Sequence, residues 1–290
     1  MTRVGRLARF SLTTGGADRL GAFYEQALGF RKIAIERHSG ARFESLMGVA
    51  GGARGLVLGL GEQAVELLEF AAPGRPYPHD AASSDLLFQH LAIVVADMGA
   101  AYQRLLAARG WCAITEGGPQ RLPDASGGVT AFKFRDPEGH PLELLAFPEG
   151  NAPPPWRATR GAGPCLGIDH SAISVADSAR SAAFYEALGF AVSARSHNHG
   201  PEQARLDGLH APDVEVTALV PRRPTPHIEL LGYRAVARGE PVRLRNNDVA
   251  AARLVLEASG PAQAGAGARV RRALFDPDGH HLLIDEPAEE

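Results

Sequence analysis

Short apolar runs alternate along the chain with amphipathic segments, and this alternation repeats itself. The amphipathic segment 17–30 (ADRLGAFYEQALGF) follows a strand-like run at 11–14 and returns as 178–190 (SARSAAFYEALGF) after a run at 172–175. In both copies a Phe-Tyr pair and the next Leu have helical spacing, and a following Gly is typical of a helix C-terminus. The pattern predicts a strand and then a helix in each copy, with the tyrosines in the core.

A second repeat lies further along each half of the chain. The segment 133–147 (KFRDPEGHPLELLAF) matches 274–286 (LFDPDGHHLLIDE), and the Asp-Pro-x-Gly in both predicts a tight turn between two strands. We expect the histidines beside these turns, His140, His280 and His281, to be exposed.

Two further strands, 64–70 (AVELLEF) and 227–233 (HIELLGY), recur at the spacing that separates the halves, so the chain is an internal duplication. Each half contains the pattern of strand, helix and later strands twice, because a second helix is predicted at 97–109. Four modules result, near 4–70, 86–147, 166–233 and 249–286. The fourth is shorter than the others, and its sequence leaves the helix out.

A segment rich in Pro and Gly, 151–165, separates the halves, and its prolines predict an extended linker. It divides the chain into a first domain, 1–150, with modules one and two, and a second domain, 166–290, with modules three and four. With 290 residues in all, each domain is long enough to bury a core without disulfides.

Composition limits the binding partners and the cellular compartment that we expect for the protein. The net charge of −3 combines both signs without a basic face, so we expect no nucleic-acid partner. No apolar run approaches the ~20 residues of a membrane span or the length of a signal peptide, so we expect no membrane partner. Only Cys112 and Cys165 are present, which fits a reducing compartment. These features predict a cytoplasmic protein, either a monomer or a homodimer.

Ionisable residues within the apolar strands are the candidates for chemistry. Glu66, Glu143 and Glu229 are flanked by apolar residues, where a carboxylate is costly to bury unless a cation neutralises it. His90 and His170 each begin an apolar strand, where an imidazole can bind a metal or hydrogen-bond to the backbone. A set of two histidines and two glutamates suits Zn, Ni, Co, Mn or Fe(II).

The motifs HxAIxVAD, AAFYEALGF and FRDPEGHPLELL resemble those of the vicinal-oxygen-chelate superfamily. That superfamily includes glyoxalase I, methylmalonyl-CoA epimerase, extradiol dioxygenases and bleomycin-resistance proteins. The resemblance implies an α+β fold in which four βαβββ modules pair into two open, curled mixed β-sheet barrels with helices outside. It also implies that each module of a metal-binding member offers one ligand from its first strand and one from its last. The motifs identify the fold better than the reaction, because this scaffold hosts several chemistries.

These ligand positions are unevenly filled. The first-strand positions are, in module order, Arg9, His90, His170 and Arg253. The last-strand positions are, in the same order, Glu66, Glu143, Glu229 and Leu283. Sequential pairing of the modules (one with two, three with four) would leave both clefts incomplete. Crossed pairing (two with three, one with four) would collect every ligand in one cleft, and we favour it.

Crossed pairing predicts one working site and one degenerate cleft. His90, Glu143, His170 and Glu229 would converge on one divalent metal. The degenerate cleft would hold Arg9, Glu66, Arg253 and Leu283. We predict that it binds no metal, because a guanidinium stays protonated and has no lone pair to donate. One arginine is expected to pair with the glutamate there.

The leading hypothesis is a metal-dependent lyase or isomerase that chelates vicinal oxygens of a small substrate. Glu143 or Glu229 would move a proton through an enolate, as in glyoxalase-like or epimerase-like chemistry. The polar run 195–203 lies where proteins with this resemblance often have a substrate-facing loop, so His197, His199 and Glu202 are candidates for substrate contact, and a solvated loop would explain them equally well. Alternatives are an Fe(II) extradiol-type dioxygenase and a metal-free protein of the resistance type that binds a small molecule. No nucleotide cofactor is expected.

Overall fold

A computed structural model describes residues 3–157, 163–234, 243–259 and 269–287 of the chain. The strands within these ranges are β1 (Val4–Thr13), β2 (Arg31–His38), β3 (Ala53–Leu60), β4 (Gln63–Phe70), β5 (Gln89–Val95), β6 (Cys112–Ala113), β7 (Gln120–Arg121), β8 (Thr130–Arg135), β9 (Pro141–Ala146), β10 (Cys165–Ser174), β11 (Ala191–His199), β12 (Asp213–Val220), β13 (His227–Arg234), β14 (Ala252–Ala258), β15 (Arg269–Phe275) and β16 (His281–Pro287). The helices are α1 (Ala17–Phe23), α2 (Ala41–Met47), α3 (Met98–Leu106), α4 (Pro154–Arg157), α5 (Ser178–Ala187) and α6 (Pro201–Asp207).

The strands form two open, mixed sheets. The first sheet has the order β15, β16, β14, β1, β4, β3, β2, and the second has the order β11, β12, β13, β10, β5, β9, β8, β6, with β7 on β8. The first sheet therefore joins modules one and four, and the second joins modules two and three, which is the crossed pairing. The predicted α+β fold of four modules is confirmed. Because each sheet takes strands from both sides of the linker, the two halves of the sequence are not separate sheets.

Alternating side chains give each sheet a core face and a second face. On β5, Leu91, Ile93 and Val95 are buried in the main hydrophobic core with residues of the helices. His90, directly before Leu91, lies on the opposite face and lines a cavity. The same strand thus supplies both packing and site residues.

The repeated helices α1 and α5 lie where the sequence predicts, whereas α3 ends at Leu106, before the predicted end at 109. The Asp97 side chain accepts a hydrogen bond from the backbone N–H of Ala100, and Asp177 caps α5 in the same way. A π-helical turn, Tyr24–Leu28, continues α1 and ends at Gly29, whose φ of +80° is costly for residues with a Cβ. Tyr24 is buried in the core, as predicted, and its hydroxyl lies 3.2 Å from Oδ2 of Asp136.

The prediction that the turn histidines are exposed is wrong. His140, His280 and His281 are all buried, because each Asp-Pro-x-Gly turn docks against another module. The Nε2 atom of His140 lies 2.9 Å from the carbonyl oxygen of Thr13, and Nε2 of His280 lies 3.0 Å from that of Ser174. These contacts join neighbouring modules at the ends of β1 and β10.

The linker is partly helical. Pro154 and Pro155 begin the short helix α4, which corrects the prediction of an extended segment, since proline is tolerated in a first helical turn. Trp156 on this helix is buried against Val94 and Leu166. Residues 158–162 of the linker and 260–268, where a helix of module four would fall, lie outside the described ranges. None of the helices described is long and apolar enough to cross a bilayer.

Candidate metal centre

The four predicted ligands lie on the central strands of the second sheet. His90 is on β5 and His170 on β10, and these two strands pair antiparallel. Glu143 on β9 pairs with Ala92, two residues after His90. Glu229 on β13 pairs in the same way with Ala172, two residues after His170. All four side chains line one cavity of about 290 Å³.

Three of the four come close enough to share one ion. The ligand atoms of His90, Glu143 and His170 all lie within 4.8 Å of one another. Nε2 of His90 is 2.8 Å from Oε2 of Glu143. Glu229 is next to this group, with Oε2 at 3.5 Å from Nε2 of His170. The structure thus brings the predicted residues together, and their role as ligands remains a prediction.

The environment of His90 fits a metal ligand. The residue is 2 % exposed, yet neither ring nitrogen makes a hydrogen bond to any residue that the structure describes. The short distance to Glu143 is therefore a contact between atoms that do not point at each other with hydrogen-bond geometry. A buried imidazole without partners is costly, and an ion placed between these atoms would satisfy the nitrogen and the carboxylate together.

Burial and the charges around the cavity together explain the direction of each pKa shift. Burial, with help from nearby Lys133, lowers the pKa of His90, so that its imidazole is neutral and has a lone pair to donate. For His170 burial also favours the neutral form, but the charges of Glu229 and Asp169 outweigh it and raise the pKa. Burial alone would raise the pKa of Glu143, and the neighbouring His90 and Lys133 hold it below its usual value.

Three residues near the ligands were missed from the sequence. His227 begins β13 two positions before Glu229, so strand alternation was the available signal, and its Nε2 lies 3.7 Å from Oε1 of Glu229. The second is Asp169, whose Oδ2 lies 3.0 Å from Nδ1 of His170. Alternation would put adjacent residues on opposite faces, but the register of β10 shifts between Ile168 and His170. No pattern in the sequence indicates this irregularity.

Lys133 is the third, and it lies in the wall of the cavity. It pairs directly with Glu143 across β8 and β9, so both side chains emerge on the same face of the sheet. Its ammonium lies 2.7 Å from Oδ1 of Asp207. Burial opposes its charge, but Asp207 and Glu143 raise the pKa of Lys133 above its usual value. The cavity therefore holds a fixed positive charge beside the candidate ligands.

The predicted substrate loop is a strand and a helix rather than a loop, and contact of its residues with substrate remains a prediction. His197 and His199 lie on strand β11, and Glu202 lies in the first turn of α6. None of the three lines the cavity of the four ligands. His197 instead pairs with Asp213 at the surface, and Glu202 pairs with Arg205. Because side chains alternate along a strand, it is Ser196 and Asn198 that face the cavity.

The corresponding positions in the first sheet confirm the alignment of the modules. Leu283 pairs with Val255 as Glu143 pairs with Ala92, so Leu283 takes the place of a ligand. By the same register Arg253, two residues before Val255, takes the place of the first-strand histidine. Arg253 is fully buried, and burial lowers its pKa to about 10. It donates hydrogen bonds to Ser11, Thr13 and Asn246.

Arg9 occupies the remaining part of this second cleft. Its Nη1 lies 3.0 and 3.1 Å from the oxygens of Glu36 and 3.7 Å from Oε1 of Glu66, which confirms the expected pairing with that glutamate. Glu36, His38 and Glu66 have ligand atoms within 4.8 Å of one another. The guanidinium already supplies a cation to these carboxylates. That this cleft binds no metal remains a prediction.

Comparison with known proteins agrees with this architecture. A mutant of glyoxalase I from Zea mays has 16% identity and a TM-score of 0.61, over 98% of this chain and 94% of that chain. A candidate dioxygenase from Bacillus subtilis has 12% identity and a TM-score of 0.56, over 100% and 87%. At such identities the likeness shows the fold alone.

No curated protein matches the chain. The family model described as Glyoxalase/Bleomycin resistance protein/Dioxygenase superfamily matches residues 6–144 and 167–284. These matched ranges cover most of the chain and fall on either side of the linker, as the duplication requires. The chain therefore belongs to the glyoxalase/bleomycin resistance protein/dioxygenase superfamily.

Proposed function

We propose that the protein is a metal-dependent enzyme that binds a small molecule through two neighbouring oxygens and moves a proton at the adjacent carbon. The observation that carries this proposal is the group of His90, Glu143 and His170, whose ligand atoms lie within 4.8 Å while the nitrogens of His90 have no hydrogen bond among the described residues. With Glu229 these residues would hold one divalent ion. Such an ion supplies Lewis-acid polarisation of substrate oxygens, which acidifies a neighbouring C–H bond.

Glu229 is the carboxylate best suited to take the proton. It lies outside the tight group of three, and its side chain keeps 24% of its exposure, whereas that of Glu143 keeps 8%. Burial would raise its pKa, but His170 and His227 hold the pKa below its usual value, so Glu229 is ionised at neutral pH. An ionised carboxylate that can turn toward the substrate has a free oxygen to accept the proton.

The walls of the cavity position the rest of the substrate. Leu145, Val216 and Leu231 line it beside the candidate ligands, and they keep bulk water away from the reacting carbon. A cavity of about 290 Å³ fits a small molecule rather than a polymer.

Two measurements test the proposal. The first is metal content after purification without added metal, for which we expect about one equivalent per chain. The second is exchange of solvent deuterium into α-hydroxy ketones and hemithioacetals, followed by NMR. Glu229→Gln should abolish exchange and keep the fold, because an amide cannot take a proton near neutral pH. Glu149→Gln, at an exposed glutamate outside the cavity, is the matched control. Absence of both metal and exchange would instead indicate a metal-free binding protein.

One observation favours a second candidate function. The tight group contains two histidines and one carboxylate, the ligand set of Fe(II) oxygenases that leaves positions open for oxygen and substrate. An extradiol-type dioxygenase would consume oxygen with catechols, would require Fe(II), and would keep activity in Glu229→Gln. Stoichiometric oxygen uptake with any catechol would replace the proton-transfer proposal.

A further inference from the structure

A buried network joins three cavity residues to one carboxylate. Asp207, at the end of α6, is 2% exposed. Its Oδ1 accepts a hydrogen bond from Nζ of Lys133 at 2.7 Å. Its Oδ2 accepts from Nε2 of Gln203 at 2.7 Å and from the hydroxyl of Tyr233 at 3.0 Å. Lys133, Gln203 and Tyr233 all line the cavity of the candidate metal centre. The network therefore fixes a polar patch within the wall of that cavity.

The ammonium of Lys133 has N–H groups that are not used in hydrogen bonds to the described residues. An ammonium carries three N–H groups. Within the described part of the chain, that of Lys133 donates only to Asp207. The residue is 4% exposed, so bulk water does not readily serve the remaining N–H groups. A ligand in the cavity would have to present an acceptor to them.

The side chain of Gln203 has a hydrogen-bond acceptor that is not used. Its Nε2 donates to the Asp207 carboxylate, and this fixes the amide orientation, because the reversed amide would place two oxygens against each other. Its Oε1 is buried and has no hydrogen-bond partner among the residues described. A buried acceptor without a donor is unfavourable unless a ligand supplies one.

A hydroxyl group would suit both residues, since its oxygen can accept from Lys133 while its hydrogen is donated to Gln203. A substrate amine would be cationic and repelled by the ammonium of Lys133. A carboxylate or phosphate would lack the proton for Gln203, and it would enter a cavity that already holds Glu143 and Glu229. Around the patch the wall is apolar, with Leu122, Val129 and Leu206.

We propose that Lys133 and Gln203 form a hydroxyl-binding subsite, and that the substrate carries a hydroxyl remote from its two chelating oxygens. This inference rests on the proposed function, because it assumes that the substrate binds in the same cavity. Buried polar groups in a cavity select ligands strongly, since a ligand lacking the matching group leaves them unpaired.

Matched hydroxamates test the subsite. A hydroxamate binds a divalent metal through two neighbouring oxygens, so it anchors one end of the probe. Each pair has the same chain length and ends in either a hydroxyl or a methyl group, and three chain lengths cover different spans. Calorimetric titration into the zinc-loaded protein should show the hydroxyl member of at least one pair binding ~10- to 100-fold more tightly, as expected for a hydrogen bond with a charged partner. This comparison uses the unmodified protein and does not depend on a variant.

Gln203→Met assigns the preference to the network. Methionine keeps the length of the side chain and removes both the acceptor and the N–H group that Gln203 donates to Asp207, so the preference for the hydroxyl member should disappear while zinc affinity stays unchanged. Gln103→Met, at an exposed position on α3, is the control and should keep the preference. A preference retained in Gln203→Met would overturn the role of Gln203.

The outcomes separate the two proposals. If zinc binds and the members of every pair bind equally, or none binds, the subsite is overturned while the metal centre stands. If zinc itself does not bind, the proposed function fails, and the subsite fails with it.

Discussion

Asp169→Asn is the sharpest test of how the candidate metal centre is held in place. Oδ1 of Asp169 accepts a hydrogen bond from Nε1 of Trp156 at 2.5 Å, and Oδ2 lies 3.0 Å from Nδ1 of His170. An ionised carboxylate accepts from both neighbours. It therefore holds one imidazole proton on Nδ1, so that a metal in the cavity has only to displace the proton of Nε2.

Asparagine cannot serve both neighbours, because its side chain has one acceptor oxygen and one donor group. With the oxygen turned to Trp156, the NH₂ group faces Nδ1 of His170 and favours the tautomer that carries its proton on Nε2. A protonated Nε2 cannot bind a metal. Loss of such a supporting partner typically costs 10- to 100-fold in metal affinity. That range corresponds to about 1.4 to 2.8 kcal/mol.

Zinc affinity measured by competition with a chromophoric chelator gives the size of the effect, and ¹⁵N NMR of the His170 ring reports the tautomer directly. Asp213→Asn is the matched control, because Asp213 also pairs with a histidine, His197, but at the surface and outside the cavity. A folded Asp169→Asn protein with zinc affinity within about twofold of wild type would refute the reasoning.

Three further perturbations address single interactions. His90→Ala should weaken zinc binding strongly, as calorimetry would show, with activity partly restored by excess metal in the deuterium-exchange assay at rising zinc concentration. Glu66→Gln should flatten the acid dependence of stability: burial opposes the charge of Glu66, but His38, Ser11 and Arg9 lower its folded pKa to about 2. Stability from this depressed pKa is complete above the unfolded value of about 4.3 and is lost as the pH falls toward 2, which urea unfolding at a series of pH values would measure. Asp177→Ala should cost about 1 kcal/mol in the same assay, since its carboxylate caps α5 through two backbone N–H groups.

Sequence reasoning succeeded where repetition and alternation carried the information. The duplicated segments revealed four modules, and the uneven distribution of ligand positions favoured crossed pairing, which the strand order shows. His90 and Glu143 could be placed on one face because alternation is regular along β5 and β9.

Sequence reasoning failed where tertiary contacts determine which residues are buried and which side chains pair. The turn residue His140 looked like a surface residue, but its imidazole fills the junction between two modules and faces Asp136 and the carbonyl of Thr13. Gln203 and Lys133 are far apart in the sequence, and only the fold brings both onto one carboxylate. Only the Gln203–Asp207 pair, four residues apart on α6, has a spacing that a sequence could reveal.

The crossed pairing has a consequence for the order in which the protein folds. The second sheet is built from one continuous stretch of chain, since its strands run from β5 to β13. The first sheet joins β1 to β14, so it closes a loop of nearly the whole chain and must wait for the C-terminal strands to be synthesised. We expect pulse-labelled hydrogen exchange during refolding to show protection of β5 and β10 before β1 and β14. The reverse order would indicate that the ends of the chain find each other first.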